Sequence, residues 1–253
     1  VSFALPLVML VFSMRDQKKL RKRLQPRRLR KGILGLTVRL GVTVALLSLF
    51  LNFLIYHLAG LVGADLTAIA LDAPQSGLSM AARFAVIVVL SAVLEEVYLR
   101  GALFTVHEES VGTSACLIFS GLAFAMLHGS MMNFAGPFLA GIAYAYLTYI
   151  SGSVWPAVLA HGVNNLYYVF VLWITDTYAA FGIWSYFAAI NALVLLLFLY
   201  LTLRQLEHLL TRGCIPHFEK SAGLYDLWLL VRNPGMLAFV LAFVAKLIMN
   251  RVI

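Results

Sequence analysis

Two adjacent carboxylates, Glu95 and Glu96, lie inside the apolar run AARFAVIVVLSAVLEEVYLRGALF (residues 81–104), with Arg100 close behind. Charge at that depth must be offset by a partner or a task, so an ionisable residue in a spanning helix is by default a functional-site hypothesis. Glu96 and Arg100 are four apart, share a helix face and can pair. Glu95 is rotated from Glu96 by about 100° and can face elsewhere, into a cavity. Two further polar clusters interrupt apolar helices: Phe124 to His128 (FAMLH) and His161 to Asn165 (HGVNN). A carboxylate, two imidazoles and a carboxamide suit hydrolysis. A glutamate in an apolar pocket, or a histidine, can take a proton from water. A second histidine and an asparagine can donate hydrogen bonds to a developing oxyanion.

Rival readings of these residues follow from their chemistry. Glu96 and Arg100 also make a structural ion pair between helices. A single intramembrane histidine commonly serves only as an interhelical hydrogen bonder. Asn164, three residues after His161, competes with Asn165 as a donor. The chain has no GxSxG elbow and no buried Cys-His pair, so water is a better nucleophile than Ser120 or Ser153. Glutamate and histidine also ligate zinc. However, HExxH is absent and the asparagine fits a hydrogen-bonding role, so no metal or cofactor is expected, with zinc the lesser alternative. His107, Glu108 and Glu109 read as a solvated link, and His57, His208 and His217 have no evident partner.

The elements that must position these residues are membrane helices. The chain of 253 residues is 62% hydrophobic and only 12% charged, with mean hydropathy +0.91. A soluble domain is nearer a quarter charged. Long apolar runs without alternation exclude a barrel. The expected fold is an all-α polytopic transmembrane bundle in one domain, with room for about seven or eight spans of roughly 20 residues. The net charge of +8 does not signal nucleic acid. Eleven of the 19 basic residues fall between Arg15 and Arg39, with Asp16 the only acid among them. Such a cluster beside spans marks a cytoplasmic loop, here 15–33, and attracts anionic lipid headgroups. Cys116 and Cys214 are not expected to form a disulfide.

Apolar residues 1–14 read as a helix end. Spans are expected at about 34–62, 80–106, 114–129, 134–150, 155–174 and 182–203, with a short last apolar run at 235–249. The loop 63–79 has Asp65 and Asp72 but no Lys or Arg, which suits the outer face. Residues 204–233 read as cytoplasmic and partly interfacial. Small residues from Gly136 to Ala145 let neighbouring helices approach closely. At about 1.5 Å per residue, Glu95, His128 and His161 lie roughly 16, 21 and 9 Å in from the cytoplasmic helix ends. Those depths are compatible with one buried site, and residues 80–170 are its expected core.

The order EExxxR (Glu95, Glu96, Arg100), FxxxH (Phe124, His128) and HxxxN (His161, Asn165) resembles the CPBP family of intramembrane glutamic endopeptidases. That family includes the type II CAAX prenyl endopeptidases and bacteriocin-processing or immunity proteins. The stretch from Gly141 through Ser151-Gly152-Ser153 to His161 is similar to its third motif region. The resemblance implies that Glu95 and His128 activate water, that His161 and Asn165 form the oxyanion site, and that Glu96 and Arg100 support them. It implies a membrane-associated protein or peptide substrate and a multi-pass protein, expected in a bacterial inner membrane with the basic loop cytoplasmic. The rivals are a non-enzymatic immunity or scaffold protein and a proton-coupled transporter.

Overall fold

The computed structural model describes residues 17–29, 31–63, 81–82, 84–131, 133–177, 184–216 and 224–252. The expectations for residues 1–14 and for most of the 63–79 loop lie outside these. The described residues are all-α. In chain order they form α1 (Gln17–Leu24), α2 (Lys31–Leu61), α3, α4 (Thr113–His128), α5 (Ala135–Ser151), α6 (Trp155–Thr177), α7 (Trp184–Thr211), α8 (Leu224–Val231) and α9 (Pro234–Val252). The third, α3, is one continuous run: π-helical turns over Phe84–Ser91, α-helix over Ala92–Glu96, π-helical turns over Val97–Leu103 and α-helix over Phe104–Val111. Its junction residues Ser91, Glu96, Val97 and Leu103 all keep right-handed helical backbone. π-helical turns are rare and concentrate at functional sites; here they bracket the Glu95-Glu96 pair on both sides.

Three helices are long and apolar enough to cross a membrane: Lys31–Leu61, Trp155–Ile174 and Tyr186–Thr211. A fourth span results if Tyr225–Val231 and Pro234–Met249, bent by 67°, count as one. Seven to eight spans are not reached by this measure. The reason lies in length and charge. α4 and α5 have 16 and 17 residues, short of the roughly 20 that a bilayer core requires. The helix α3 holds Glu95, Glu96 and Arg100 together in its middle.

Two other segments differ from the sequence reading. Residues 107–111 continue α3 as helix instead of forming a polar link, and the run ends at Gly112, whose φ is 78°. The stretch is held because His107 bonds the Leu103 carbonyl and packs on Phe119, while Glu108 pairs with Arg23. The basic segment is likewise no open loop: α1 docks on the bundle with Leu20 buried.

Close helix crossings depend on missing side chains. A Cβ on Gly141 would lie 2.7 Å from the Gly121 Cα, so α4 and α5 touch backbone to backbone. A Cβ on Gly41 would meet the Ala160 carbonyl at 2.8 Å, which brings α2 against α6 one residue before His161. Gly136 packs in the same way on Ser48 of α2. Polar side chains fasten α7 to α2: Thr43 and Thr202 share a hydrogen bond of 2.8 Å, and Asn191 donates to the Leu46 carbonyl. Satisfying polar groups inside the bundle avoids leaving them unpaired in a medium without water.

Candidate active site

The innermost layer is built on Glu96 and Arg100, both 0% exposed. Their helical spacing lets Arg100 Nη1 donate to Glu96 Oε1 at 2.9 Å. Arg100 Nη2 donates to the Gly141 carbonyl, also at 2.9 Å. Gly141 lacks a side chain, so α5 comes close enough to present that oxygen. The guanidinium lies over the Phe124 ring (4.8 Å) and near that of Tyr144 (5.6 Å). A planar, delocalised cation with several donors suits this combination of carboxylate, carbonyl and ring faces.

His161 closes this layer from α6. Its Nδ1 lies 2.9 Å from the same Glu96 oxygen that Arg100 contacts. A carboxylate accepts, so Nδ1 carries the proton and a neutral ring has its lone pair on Nε2. Nε2 faces Glu95 Oε2 at 4.0 Å. Tyr144 stacks on the imidazole with centroids 5.2 Å apart and planes 18° apart, and Phe124 meets it edge-on at 5.3 Å. The ring is thus held by a stacked Tyr144, an edge contact with Phe124 and a hydrogen bond at one nitrogen.

The outer layer is more accessible. The Glu95 side chain is 16% exposed and accepts a hydrogen bond from Ser91 Oγ at 3.0 Å. His128 is exposed at the end of α4, where Gly129 turns the chain with φ 63°. The His128 Nδ1 bonds the Phe124 carbonyl at 2.9 Å, which again points Nε2 away from its own helix. Glu95, His161 and Lys246 are close enough to His128 to act on it electrostatically. Phe124 bridges the two imidazoles, since it meets His128 edge-on at 4.8 Å as well as His161.

Asn165 shares the His161 face and reaches α3, where its Nδ2 donates to the Ile87 carbonyl at 2.9 Å. Asn164 donates to the Asn165 oxygen at 3.3 Å. The structure therefore brings Glu95, Glu96, Arg100 and His161 into contact. It links His128 to them through Phe124, and places Asn165 one helical turn of α6 beyond His161. Ser153 is occupied elsewhere, donating to the Gln25 carbonyl at 3.1 Å. Among the described residues no group of three His, Cys, Asp or Glu side chains is arranged to hold a metal. An apolar cavity of about 260 Å³ between α3, α4 and the α8–α9 bend is lined by none of these site residues.

Sequence reasoning missed Ser91 and Tyr144, and read Gly141 for close packing and as part of a motif region but not for its carbonyl contact with Arg100. Ser91 was accessible, being four residues before Glu95 on one helix face. Gly141 and Tyr144 carried no chemical signal of their own; only the packing of α5 against α3 and α6 reveals them.

Apolar helices of spanning length around a buried carboxylate–arginine–imidazole centre define the class: an all-α integral membrane protein with an internal polar site. Residues 77–167 match the family model described as type II CAAX prenyl endopeptidase Rce1-like, a protease family. All seven motif residues from Glu95 to Asn165 fall within the match, which bears out the resemblance seen in their order. No curated protein and no solved structure matches the chain.

Proposed function

We propose that the protein is an intramembrane endopeptidase that cleaves a membrane-associated substrate with water as nucleophile. One observation carries this reading: Glu96 is fully buried and committed to Arg100 and His161, while the adjacent Glu95 keeps a small exposed fraction beside the His161 Nε2. Two carboxylates in one helix turn thereby receive different tasks. Glu95 is the general base, with His128 assisting. An oxygen about 2.8 Å from both Glu95 Oε2 and His161 Nε2 keeps normal hydrogen-bond lengths across their separation.

The water oxygen attacks the scissile carbonyl carbon as its proton passes to Glu95. The tetrahedral oxyanion then collapses, the C–N bond breaks, and the amine leaves with the proton from Glu95. Products are a carboxylic acid and an amine, which exchange the remaining proton to leave carboxylate and ammonium. His161 and Asn165 stabilise the oxyanion. For His161 this uses the doubly protonated ring, with Nδ1–H held by Glu96 and Nε2–H as the donor. Asn165 retains a second amide hydrogen beyond the one given to Ile87. No metal enters this scheme.

The family description points to the substrate class: the tail of a lipid-anchored or otherwise membrane-bound protein, prenylated CAAX-type or a small peptide. Residues 80–170 form the catalytic core of a single membrane domain. We place the protein in a bacterial inner membrane with the basic segment cytoplasmic. The test is mass spectrometry of membrane peptides from cells carrying wild type or Glu95→Gln. A peptide set with a shared cleavage position, present only with wild type, supports the proposal. Identical peptide sets from both cells would falsify it.

A further inference from the structure

α1 and the residues after it are fixed to the bundle by their inward side. Leu20 and Leu24 pack over Gly101, the residue after Arg100; a Cβ there would meet them at 3.5 and 3.4 Å. Arg23 pairs with Glu108 and donates to Thr105 at 3.0 Å. Three successive carbonyls are also used: Arg23 accepts from the Val154 N–H, Leu24 from Trp155 Nε1 at 2.8 Å, and Gln25 from Ser153 Oγ. The segment is a fitted part of the fold, and its outward side is free for another partner.

The segment's exposed cations include Arg21, Lys22, Arg27 and Arg28, none in an ion pair among the described residues, with the Arg27 guanidinium lying at the edge beside Gly152 of the α5–α6 turn. The segment's level in the molecule is set by the spans. α2 begins at Lys31, α6 begins at Trp155, and α7 ends at Thr211. Gln205 of α7 donates to the Gly32 carbonyl, so the end of α7 lies beside the start of α2. The start of α6 is bonded to α1 through Trp155. All three candidate spans therefore terminate where α1 lies. The half-exposed Trp155 is the residue type that settles at a membrane–water boundary.

We propose that Arg21, Lys22, Arg27 and Arg28 form a binding site for the phosphate headgroups of anionic phospholipids, at the bilayer surface and on the outer side of a helix packed against the Glu96–Arg100 turn. Four fixed cations at the headgroup level attract anionic lipid additively. An acidic segment of a partner protein is the competing occupant. The lipid is favoured because the face coincides with the ends of three spans.

Native mass spectrometry of the detergent-solubilised full chain tests this, with phosphatidylglycerol or phosphatidylcholine as the probe. Wild type is expected to retain phosphatidylglycerol preferentially. The Arg21→Gln/Lys22→Gln/Arg27→Gln/Arg28→Gln variant is expected to lose at least about tenfold of that retention, with phosphatidylcholine unchanged. These four side chains make none of the docking contacts above, so the fold is kept. If the fourfold variant is unstable, the Arg21/Lys22 and Arg27/Arg28 double variants must each show a partial loss. Undiminished phosphatidylglycerol retention in the variants overturns the proposal. So does displacement of the lipid by millimolar inorganic phosphate, which marks a free-anion site, or by a polyglutamate peptide, which marks a protein-docking surface. Lipid counting does not read cleavage, so this result stands or falls apart from the protease reading.

Discussion

One oxygen of Glu96 receives both the Nδ1 of His161 and the Nη1 of Arg100, each at 2.9 Å. The pair is fully buried, and removing one member of a buried ion pair leaves the other charge uncompensated. Glu96→Gln keeps the shape and removes the charge. We expect it to destabilise the protein by about 3–5 kcal/mol, measured by unfolding in detergent, and to abolish cleavage. Glu96→Gln with wild-type stability would mean that Arg100 finds another counter-charge.

Gly141 sits where α5 touches α4 and where its carbonyl meets Arg100. The atoms that a new Cβ would strike are the Gly121 Cα and the Ser120 carbonyl oxygen, both backbone, so relief requires the helices to part. Gly141→Ala is expected to cost about 1–3 kcal/mol and to draw the carbonyl away from Arg100. Gly162→Ala is the control: its Cβ meets only the Val88 carbonyl, at an ordinary 3.6 Å. A thermal-shift comparison of the two variants separates them; equal melting temperatures contradict the close-crossing account.

Tyr144 acts on His161 through its ring. Its hydroxyl has no hydrogen-bond partner among the described residues, while the ring stacks on the imidazole. Tyr144→Phe is expected to keep most activity. Tyr144→Leu removes a stacking contact of about 1 kcal/mol and should lower kcat about fivefold to tenfold. Loss of activity in Tyr144→Phe comparable to that in Tyr144→Leu would assign the role to the hydroxyl.

Much of this was legible because helical spacing is a local property. The Glu96–Arg100 pair, and His161 and Asn165 on one face, follow from four-residue intervals. The partner of His161 was not legible. Only the rotation and depth of α6 against α3 decide whether its imidazole meets Glu95 or Glu96, and the ring contacts Glu96 directly while facing Glu95. The π-helical turns also defeat arithmetic based on a uniform rise, since wider turns shift both depth and face. The span count was not reached for a related reason: hydropathy marks the short α4 and α5 as apolar but cannot show how far other helices enclose them. The basic segment read as a loop because its charges dominate its composition. Its helix is held by Leu20, Leu24 and Arg23 against partners more than 75 residues away in sequence.

The division of labour between the two carboxylates is tested most directly in purified Glu95→Gln protein, assayed for cleavage of a peptide substrate alongside its melting temperature. The account predicts cleavage reduced at least about a hundredfold, the scale of a lost general base, with a melting temperature close to wild type, because among the described residues Glu95 hydrogen-bonds only Ser91 and stands 4.0 Å from His161. Cleavage at the wild-type rate in folded Glu95→Gln would contradict it and remove Glu95 as the base.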